Sequence, residues 1–529
     1  MGIWVAAALL LSVVFARGYT REQFYNADAY DYAQMGRQLA EGQGFTGLQA
    51  FPRHLVFFHE RGMGPDEPWP DLYRYPLSVA GAGLFQLFID DPVSAAIVRS
   101  GFFFVCGLAL FGWLAERLSG SRWIGLGIVS VLASDRELWI DAYSGMVDSQ
   151  AAFLLALHAI ALLFVPRTSK GAFVVGLGAA LLYLAKTQFA GALPISLLLL
   201  AWDAPREVRL KIGASFIAGC LLALAPWMAH NLVHAGEPNF SFTTTRSFGF
   251  GTTPVGSDFE MAIDAPLTMG ALLSEHGGAL LAKFRFGLLQ HLKQPIYQSA
   301  MYSILAYAML FGLTPRHRFP GAGNALLFLR FCLGMLLVHV LAESLSYPTP
   351  RFSYPYRAPM LIGAALLLRG LLRSLPSLAS AHQKLAVAAL FGLAALPGAV
   401  SLSQKGLGVP AGQAPRVPVE EIQELCAAEA LIASDVSYAL ALDVRRRSVR
   451  WPTFPQDLLR LDETVRPIDF VYASAQIPES SRRTEPQATV FPNYVHYANF
   501  LKSTEFLERY ALVQRFPDGG RLYANRAIR

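Results

Sequence analysis

The chain has few charged residues and few cysteines. Only 16% of its 529 residues are Asp, Glu, Lys or Arg, whereas a soluble domain usually carries about a quarter. Its four cysteines show no CxxC or Cys/His spacing, which argues against a disulfide framework or a zinc site. The sequence contains no Walker motif and no GxGxxG, so an ATP-driven transporter is not indicated. It also contains no internal repeat.

Long hydrophobic runs make up most of the sequence instead. Hydrophobic residues account for 53% of the chain, and the mean hydropathy is +0.37. The runs are about 17 to 25 residues long, the length that crosses a bilayer. They predict a polytopic α-helical membrane protein with about 11 transmembrane helices. The predicted spans are 2–16, 93–116, 122–138, 147–165, 171–185, 188–202, 212–230, 299–314, 324–342, 358–375 and 385–402.

The basic residues cluster in short connections between these runs. Alternate connections carry them, so all fall on one side, which the positive-inside rule makes cytoplasmic. The long segments 17–92 and 231–298 and the polar tail then lie on the opposite, outer side. Because the Lys and Arg residues act as topology signals, the pI near 9.1 does not indicate nucleic-acid binding. The basic connections are those with Arg117/Arg122, Arg167/Lys170, Arg206/Arg209/Lys211, Arg316/Arg318 and Arg369/Arg373/Lys384.

The domain organisation follows from the distribution of apolar and polar segments along the chain. Residues 1–403 form the predicted transmembrane domain with its long outer loops, and residues 404–529 are polar enough to fold as a small soluble α/β domain. Within that domain, short apolar runs predict buried strands and amphipathic runs predict helices. The predicted strands are Ala430 to Ser434 and Asp469 to Ala473, and the predicted helices are Pro455 to Leu461 and Tyr497 to Tyr510.

A pair of carboxylates follows the first apolar run. Asp28 and Asp31 are spaced i and i+3, which places them on one face of a helix. At the water-facing end of a membrane span, such a pair is a candidate general base or metal ligand. The alternative is a solvated helix start in which Asp28 is the N-cap.

Five stretches, in order, carry a family resemblance. They are Asp28 to Tyr32 with Arg37 to Phe45, Arg74-Tyr75-Pro76-Leu77, Ser144 to Asp148, Ala225-Pro226-Trp227 through Asn231 with Gly236-Glu237-Pro238, and Arg351 to Pro359. Together they resemble the bacterial GT-C glycosyltransferases, the relatives of protein O-mannosyltransferases and of the lipid A aminoarabinose transferase. The resemblance covers residues 1–403.

This resemblance implies a function and a location. GT-C enzymes move a sugar from a polyprenyl-phosphate donor to a lipid, glycan or protein acceptor. The expected site is on the periplasmic side of the bacterial inner membrane, with inversion at the sugar and an Asp base. Asp28 matches the base position, and Asp31 is the weaker candidate, which could orient Asp28, bind a cation or face water. Arg351 matches the phosphate-facing arginine of the family.

Further residues are candidates for the same expected site. Lys186, Arg357 and Tyr354 are predicted to bind the donor phosphate. Lys186 and Arg357 are cations at outer span ends, which pair well with lipid phosphate. Tyr354, like Arg357, lies close to Arg351 in the sequence. The sequence departs from the family at Lys186-Thr187-Gln188, where Arg-Pro-Glu is usual, at His230, and at Asp148 in place of Glu. For all of these, ordinary boundary polarity is the competing interpretation. The candidate cavity-lining residues are Glu343, His230, His59, Glu60 and Asp148.

No metal site is predicted. The acidic and histidine residues of the first outer loop do not have the spacing of a zinc or calcium site. The sequence therefore identifies no cofactor, and binding of a divalent cation stays open. Two other functions also stay open: a transporter or flippase of lipid-linked saccharides, and a non-catalytic GT-C-like scaffold subunit.

Overall fold

Most of the helical segments expected from the sequence are present. The computed structural model describes residues 27–63, 69–249, 261–266, 268–293, 322–346, 352, 354–373, 389, 391–392, 395–396, 400–401, 417–477 and 494–527. The predicted spans 2–16 and 299–314 lie outside these ranges, as does most of 385–402. Each of the other predicted spans overlaps a helix, but the span 122–138 is divided between two helices at Asp135.

The segment predicted to lie on the outer side, called the outer segment here, precedes the series of apolar helices along the chain. The outer segment contains α1 (Ala27–Ala40), β1 (Thr46–Gly47), β2 (Gln49–Ala50), α2 (Pro52–Glu60), β3 (Trp69–Pro70) and α3 (Pro76–Gln86). The apolar helices are α4 (Pro92–Ser119), α5 (Arg122–Ser134), α6 (Arg136–Tyr143), α7 (Asp148–Phe164), α8 (Ser169–Ala185), α9 (Ala192–Asp203) and α10 (Arg209–Ala235). They continue with α11 (Phe242–Gly249), α12 (Met269–Lys293), α13 (Ala322–Leu345) and α14 (Tyr354–Arg373).

Within the described ranges, three helices are long and apolar enough to cross a membrane. They are α4, α10 together with the 3-10 turn that precedes it, and α13. The pair α6 and α7 adds a fourth span if its two bent parts count as one. Shorter apolar helices such as α5 and α8 lie between them. The structure therefore confirms a mostly helical protein with apolar spans, while the full number of about 11 stays a prediction.

Local sequence signals set the ends of α4. The Asp91 carboxylate accepts a hydrogen bond from the Ser94 amide at 2.9 Å, and Pro92 occupies the first turn. Gly120 then ends the helix with a φ of 63°. These are the N-cap, first-turn proline and left-handed C-cap that favour such ends.

A sharp bend separates α6 from α7. The two helices meet at 110°, and the break contains Gly145, whose φ of 71° favours glycine. Arg99 of α4, which is fully buried, holds this bend. Its guanidinium donates to the main-chain oxygens of Gly145 at 2.7 Å and Ser78 at 3.0 Å. The Ser-Gly stretch noted in the sequence thus forms the bend that places Asp148 at the start of α7.

Small residues allow α8 and α10 to pack closely. A Cβ atom added to Gly176 would clash with the main-chain oxygen of Phe216, and one added to Gly219 would clash with that of Phe173. Such close backbone approach is a common way for helices to associate in membranes. This pair fixes the end of α8, where Lys186 lies.

The tail folds around a mixed sheet. Its elements are α15 (Val419–Leu425), β4 (Leu431–Ser434), α16 (Ser437–Ala439), β5 (Arg447–Arg450), α17 (Gln456–Thr464), β6 (Phe470–Ala473), α18 (Tyr494–Phe500), α19 (Thr504–Arg509), β7 (Tyr510–Arg515) and β8 (Arg521–Asn525). The strand order is β2-β5-β4-β6-β8-β7. Strands β2, β5, β4 and β6 run parallel, whereas β8 pairs antiparallel with β6 and with β7.

Strand β2 comes from the outer segment and not from the tail. It pairs Gln49 with Ser448 and Ala50 with Val449 of β5. Aromatic residues of the outer loops also share one hydrophobic core with Trp451 of the tail. The tail and the segment that carries the Asp pair are therefore packed together as one unit.

The two predicted tail strands coincide with β4 and β6, whereas β5, β7 and β8 were not predicted and one predicted helix was wrong. Residues Tyr497 to Tyr510 form two short helices, α18 and α19, and Tyr510 begins β7. The Ser503 hydroxyl accepts from the Phe506 amide at 3.2 Å and starts a new helix, which breaks the predicted one. Tyr510 is fully buried beside Phe506, with ring centroids 5.0 Å apart, so tertiary packing favours the strand.

Candidate active site

Asp28 and Asp31 both contact the guanidinium of Arg74. Arg74 Nη2 donates to Asp28 Oδ1 at 3.0 Å, and Nε donates to Asp31 Oδ2 at 2.6 Å. The Asp31 and Arg74 side chains are only 7% and 9% exposed, whereas the Asp28 side chain is 29% exposed. Asp28 lies within the first turn of α1 and not at a capping position. Of the two carboxylates, Asp28 is thus the one that faces the outside of the cluster.

The backbone around Arg74 is held in place by a turn. The Asp71 carboxylate accepts from the amides of Tyr73 at 3.1 Å and Arg74 at 2.8 Å. The rings of Tyr32 and Tyr73 lie 5.1 and 4.3 Å from the guanidinium carbon. Burial alone would lower the pKa of Arg74, but the two carboxylates outweigh it and raise that pKa well above its usual value. The guanidinium is therefore a permanent charge of the site.

This donor set does not fit a metal ion. Across the parts of the chain that the structure describes, no group of three or more His, Cys, Asp or Glu side chains is placed to hold one. Between Asp28 and Asp31, the guanidinium of Arg74 already occupies the position that a shared cation would take.

A cavity of about 440 Å³ is lined by Tyr75, the chain neighbour of Arg74, whereas Asp28, Asp31 and Arg74 themselves are not among its lining residues. Its wall combines the start of α3, the end of α8, the segment 237–248, the start of α12 and the end of α13. The lining mixes hydroxyl and amide side chains with a few aromatic rings and charges. It includes Tyr75, Lys186, Thr187, Gln188, Glu237, Asn239, Phe240, Ser241, Thr244, Ser247, Phe248, His339, Glu343 and Phe352.

Two contacts connect the cavity to the Asp–Arg cluster. Tyr75 follows Arg74 in the chain, lines the cavity and accepts a hydrogen bond from Thr187 Oγ1 at 3.2 Å. On the other side of Arg74, the Tyr73 hydroxyl contacts Arg246 of α11, a helix that also lines the cavity. The carboxylates and the cavity are thus neighbouring parts of one region.

Lys186 lies in the cavity wall as a member of a buried ion pair. Its ammonium contacts the carboxylate of Asp148, and the two side chains are 4% and 1% exposed. The ammonium also lies 4.9 Å from the ring centroid of Phe352. The helix bend at Gly145 and the end of α8 bring these two predicted residues together.

Glu343 also lies in the cavity wall, next to two histidines. Its carboxylate oxygens are 3.4 Å from His339 Nε2 and 3.5 Å from His291 Nε2. His339 is one turn earlier on α13, and His291 comes from α12. The His339 ring packs against Tyr356 with centroids 4.5 Å apart. The cavity therefore has a basic side at Lys186 and a Glu–His side at Glu343.

Other predicted site residues lie elsewhere. Arg357 contacts the Asp135 carboxylate, and the Tyr354 hydroxyl donates to Glu137 at 3.2 Å, so both face the α5–α6 junction rather than the cavity. His230 Nε2 lies 2.9 Å from the Asp71 main-chain oxygen, where it supports the turn before Arg74. His59 and Glu60 line a separate concavity with Arg460. Arg351 is outside the described residues, and its sequence neighbour Phe352 lines the cavity.

The sequence did not single out Arg74 as a site residue. It was visible only as part of the Arg-Tyr-Pro-Leu stretch, because nothing in the local pattern shows that it reaches two carboxylates more than forty residues earlier. The aromatic residues on both sides of it are the only local signal, since arginine stacks well on aromatic faces.

Comparisons with solved structures reveal a shared fold. The oligosaccharyltransferase AglB from Archaeoglobus fulgidus, in complex with an inhibitory peptide and a dolichol-phosphate, aligns over 99% of this chain and 74% of its own, at 11% identity and a TM-score of 0.52. The apo form of the Archaeoglobus fulgidus oligosaccharyltransferase gives the same coverage, at 12% identity and a TM-score of 0.55. The mycobacterial arabinofuranosyltransferase AftD covers 93% of this chain and 41% of its own, at 13% identity and a TM-score of 0.47.

The two oligosaccharyltransferase structures, with TM-scores above 0.5, have the kind of fold that the sequence resemblance implied, so that expectation is confirmed at the level of the fold. At such identities the likeness concerns the fold alone. No protein-family model matches the chain, and no curated protein does.

Proposed function

We propose that this chain is a membrane glycosyltransferase with a polyprenyl-phosphate-linked sugar as its donor. The observation that carries the proposal is the Asp28 and Asp31 pair, held by Arg74 beside a cavity of about 440 Å³. The shared fold supports it, because one structural neighbour binds a dolichol-phosphate and a peptide. By analogy, the acceptor is a lipid, a glycan or a protein.

Asp28 is the proposed general base. Its side chain is the more exposed of the two carboxylates, so an acceptor hydroxyl can reach it. In the proposed reaction, the hydroxyl oxygen attacks the anomeric carbon while its proton passes to Asp28. The bond from that carbon to the phosphate oxygen breaks on the opposite face, so the configuration inverts and polyprenyl phosphate leaves.

The leaving phosphate needs positive charge nearby. Lys186 lines the cavity, and an ammonium has three donors, so it can hold Asp148 and a phosphate oxygen together. Arg351 is the second proposed ligand, because a guanidinium makes strong paired hydrogen bonds with phosphate. The hydroxyl and amide groups of the lining, such as Asn239 and Thr187, are suited to sugar hydroxyls.

Location is part of the proposal. The alternating basic connections support a position of the Asp pair, the cavity and the tail on the periplasmic side of a bacterial inner membrane. A lipid-linked donor would then approach from the outer leaflet, since the apolar helices lie beside the cavity.

The test is mass spectrometry of the lipids that copurify with the full chain in mild detergent. A polyprenyl-phosphate sugar is the expected lipid, and incubation with envelope acceptors should convert it to polyprenyl phosphate. The Asp28→Asn protein should retain the lipid unconverted. A saccharide lipid that crosses proteoliposome bilayers intact would favour a flippase instead, and stable partner complexes without conversion would favour a scaffold.

A further inference from the structure

Arg74 occupies the space between two carboxylates that a divalent cation would otherwise share. Three of the four carboxylate oxygens of Asp28 and Asp31 accept hydrogen bonds from nitrogen donors. Arg74 supplies two of them, at 3.0 and 2.6 Å, and Gln34 Nε2 reaches Asp31 Oδ1 at 3.3 Å. Divalent cations bind carboxylate oxygens at about 2.0–2.6 Å. A metal ion could bridge the two carboxylates at this position only after the guanidinium had left.

The position of Arg74 is built into the fold. Its side chain is 9% exposed, the Asp71 turn holds its backbone amide, and the ring of Tyr73 lies 4.3 Å from the guanidinium carbon. Moving the guanidinium aside would leave a charge in a buried site, which is costly. It would also place a second positive charge beside the incoming metal ion.

We propose that the Arg74 guanidinium serves as the cation of this site, so that the Asp28 and Asp31 pair works without a bound divalent metal. Its planar fork fixes the two carboxylates relative to each other. One guanidinium offsets one of the two negative charges, which leaves Asp28 able to take a proton. Arg74 is a positioning residue in this scheme, and its effect on transfer rests on the proposed function.

Manganese binding tests the proposal without any need for activity. Electron paramagnetic resonance of Mn²⁺ would be followed in the full chain after treatment with EDTA. The wild type should show no Mn²⁺ site that depends on Asp28. The Arg74→Ala protein should gain one such site, and the Arg74→Ala/Asp31→Asn protein should lose it again. The matched control is Arg460→Ala, which removes an exposed arginine from its 2.8 Å pair with Asp264, outside the site.

Transfer activity is the second measurement. EDTA should leave wild-type transfer unchanged, and Arg74→Ala should lower it roughly 10- to 100-fold, because Asp28 loses its charge-assisted hydrogen bond from the guanidinium. Arg74→Lys should keep part of the activity, because one ammonium cannot contact both carboxylates with the same fork. The pH profile of Arg74→Lys should also shift, whereas a purely structural role would lower activity equally at all pH values.

Several results would overturn the proposal. One is a Mn²⁺ signal in the wild type that Asp28→Asn abolishes, and another is transfer that EDTA stops and Mn²⁺ or Mg²⁺ restores. If no preparation transfers sugar, the proposed function fails, but the Mn²⁺ titration still decides the role of Arg74. If Arg74→Ala does not fold, the wild-type titration and the EDTA result decide it alone.

Discussion

The ammonium of Lys186 contacts the carboxylate of Asp148, and neither side chain is more than 4% exposed. The desolvation of two buried charges offsets most of their attraction, so such a pair adds little net stability. Because Lys186 lines the cavity, its ammonium could bind a ligand phosphate in addition to Asp148. Removing one partner and removing both should therefore have different effects.

We expect Asp148→Ala to destabilise the protein by about 3–5 kcal/mol, because it leaves a buried ammonium unpaired. The double variant Lys186→Met/Asp148→Leu should regain most of that stability but bind the donor poorly. Thermal unfolding in detergent and donor binding, measured on the same preparations, separate the two effects. A double variant that binds the donor like the wild type would remove Lys186 from the donor site.

Asp28→Asn should lower transfer by roughly 100-fold or more, since an amide cannot take the acceptor proton. Folding and donor binding should change little, because the side chain is almost the same size. Asp31→Asn should have a smaller effect if Asp31 only supports Asp28. Asp91→Asn, at the N-cap of α4, is the matched control and should keep full activity. An inactive Asp31→Asn beside an active Asp28→Asn would assign the base to Asp31.

Arg37→Ala should loosen the tail from the helix that carries the Asp pair. Arg37 of α1 donates to the main-chain oxygens of Leu442 at 2.8 Å and Ala441 at 3.2 Å. Losing a charged hydrogen bond costs about 1.5–3 kcal/mol. Hydrogen exchange of the turn Leu440–Val444 should accelerate, and thermal stability should fall. In contrast, Arg445→Ala breaks only an exposed pair with Glu41, 3.5 Å apart, and should change neither.

Acidification should destabilise the outer segment through His54. Burial, assisted by the charge of Arg53, lowers the pKa of His54 well below 6.5. The unfolded chain then binds a proton below about pH 6.5 that the folded chain does not bind, so stability falls as the pH falls. The unfolding equilibrium constant should rise by up to about tenfold per pH unit in this range.

His54→Phe is the matched variant for this pH effect. It keeps an aromatic ring against Phe242, whose centroid lies 3.8 Å from that of His54, and removes the titrating group. Unfolding midpoints measured from pH 7 to pH 5 should decline less in the variant than in the wild type. Equal declines in both proteins would assign the acid sensitivity to other groups.

A reporter fused after Arg529 should be active only in the periplasm. The reason is the alternation of basic connections, which places the outer segments and the tail on the same side. The β2–β5 pairing requires the same arrangement, because the first outer segment and the tail share a sheet. Activity of a cytoplasm-specific reporter at this position would contradict the topology and move the proposed site to the other side of the membrane.

Local sequence was sufficient for most of the described helices and for two of the five tail strands. Hydrophobic runs long enough to span a bilayer determine α4, α10 and α13, and the caps Asp91 and Gly120 determine the ends of α4. The short buried strands β4 and β6 also follow from local apolar runs. The i and i+3 spacing of Asp28 and Asp31 was enough to place both on one face of α1, because helix geometry depends only on that spacing.

The partners of these residues were decided only by the tertiary structure. Arg74, Lys186 and Arg357 are all cations near aromatic residues in the sequence, yet the first joins the Asp pair, the second joins Asp148 in the cavity wall, and the third turns to Asp135. Likewise, β2 joins the tail sheet because two short strands far apart in the chain meet in space. The sequence by itself determined where helices form and which side chains share a helix face, since both depend on neighbouring residues. Which carboxylate a given cation pairs with depends on how the helices cross and bend, and this geometry exists only in the packed chain.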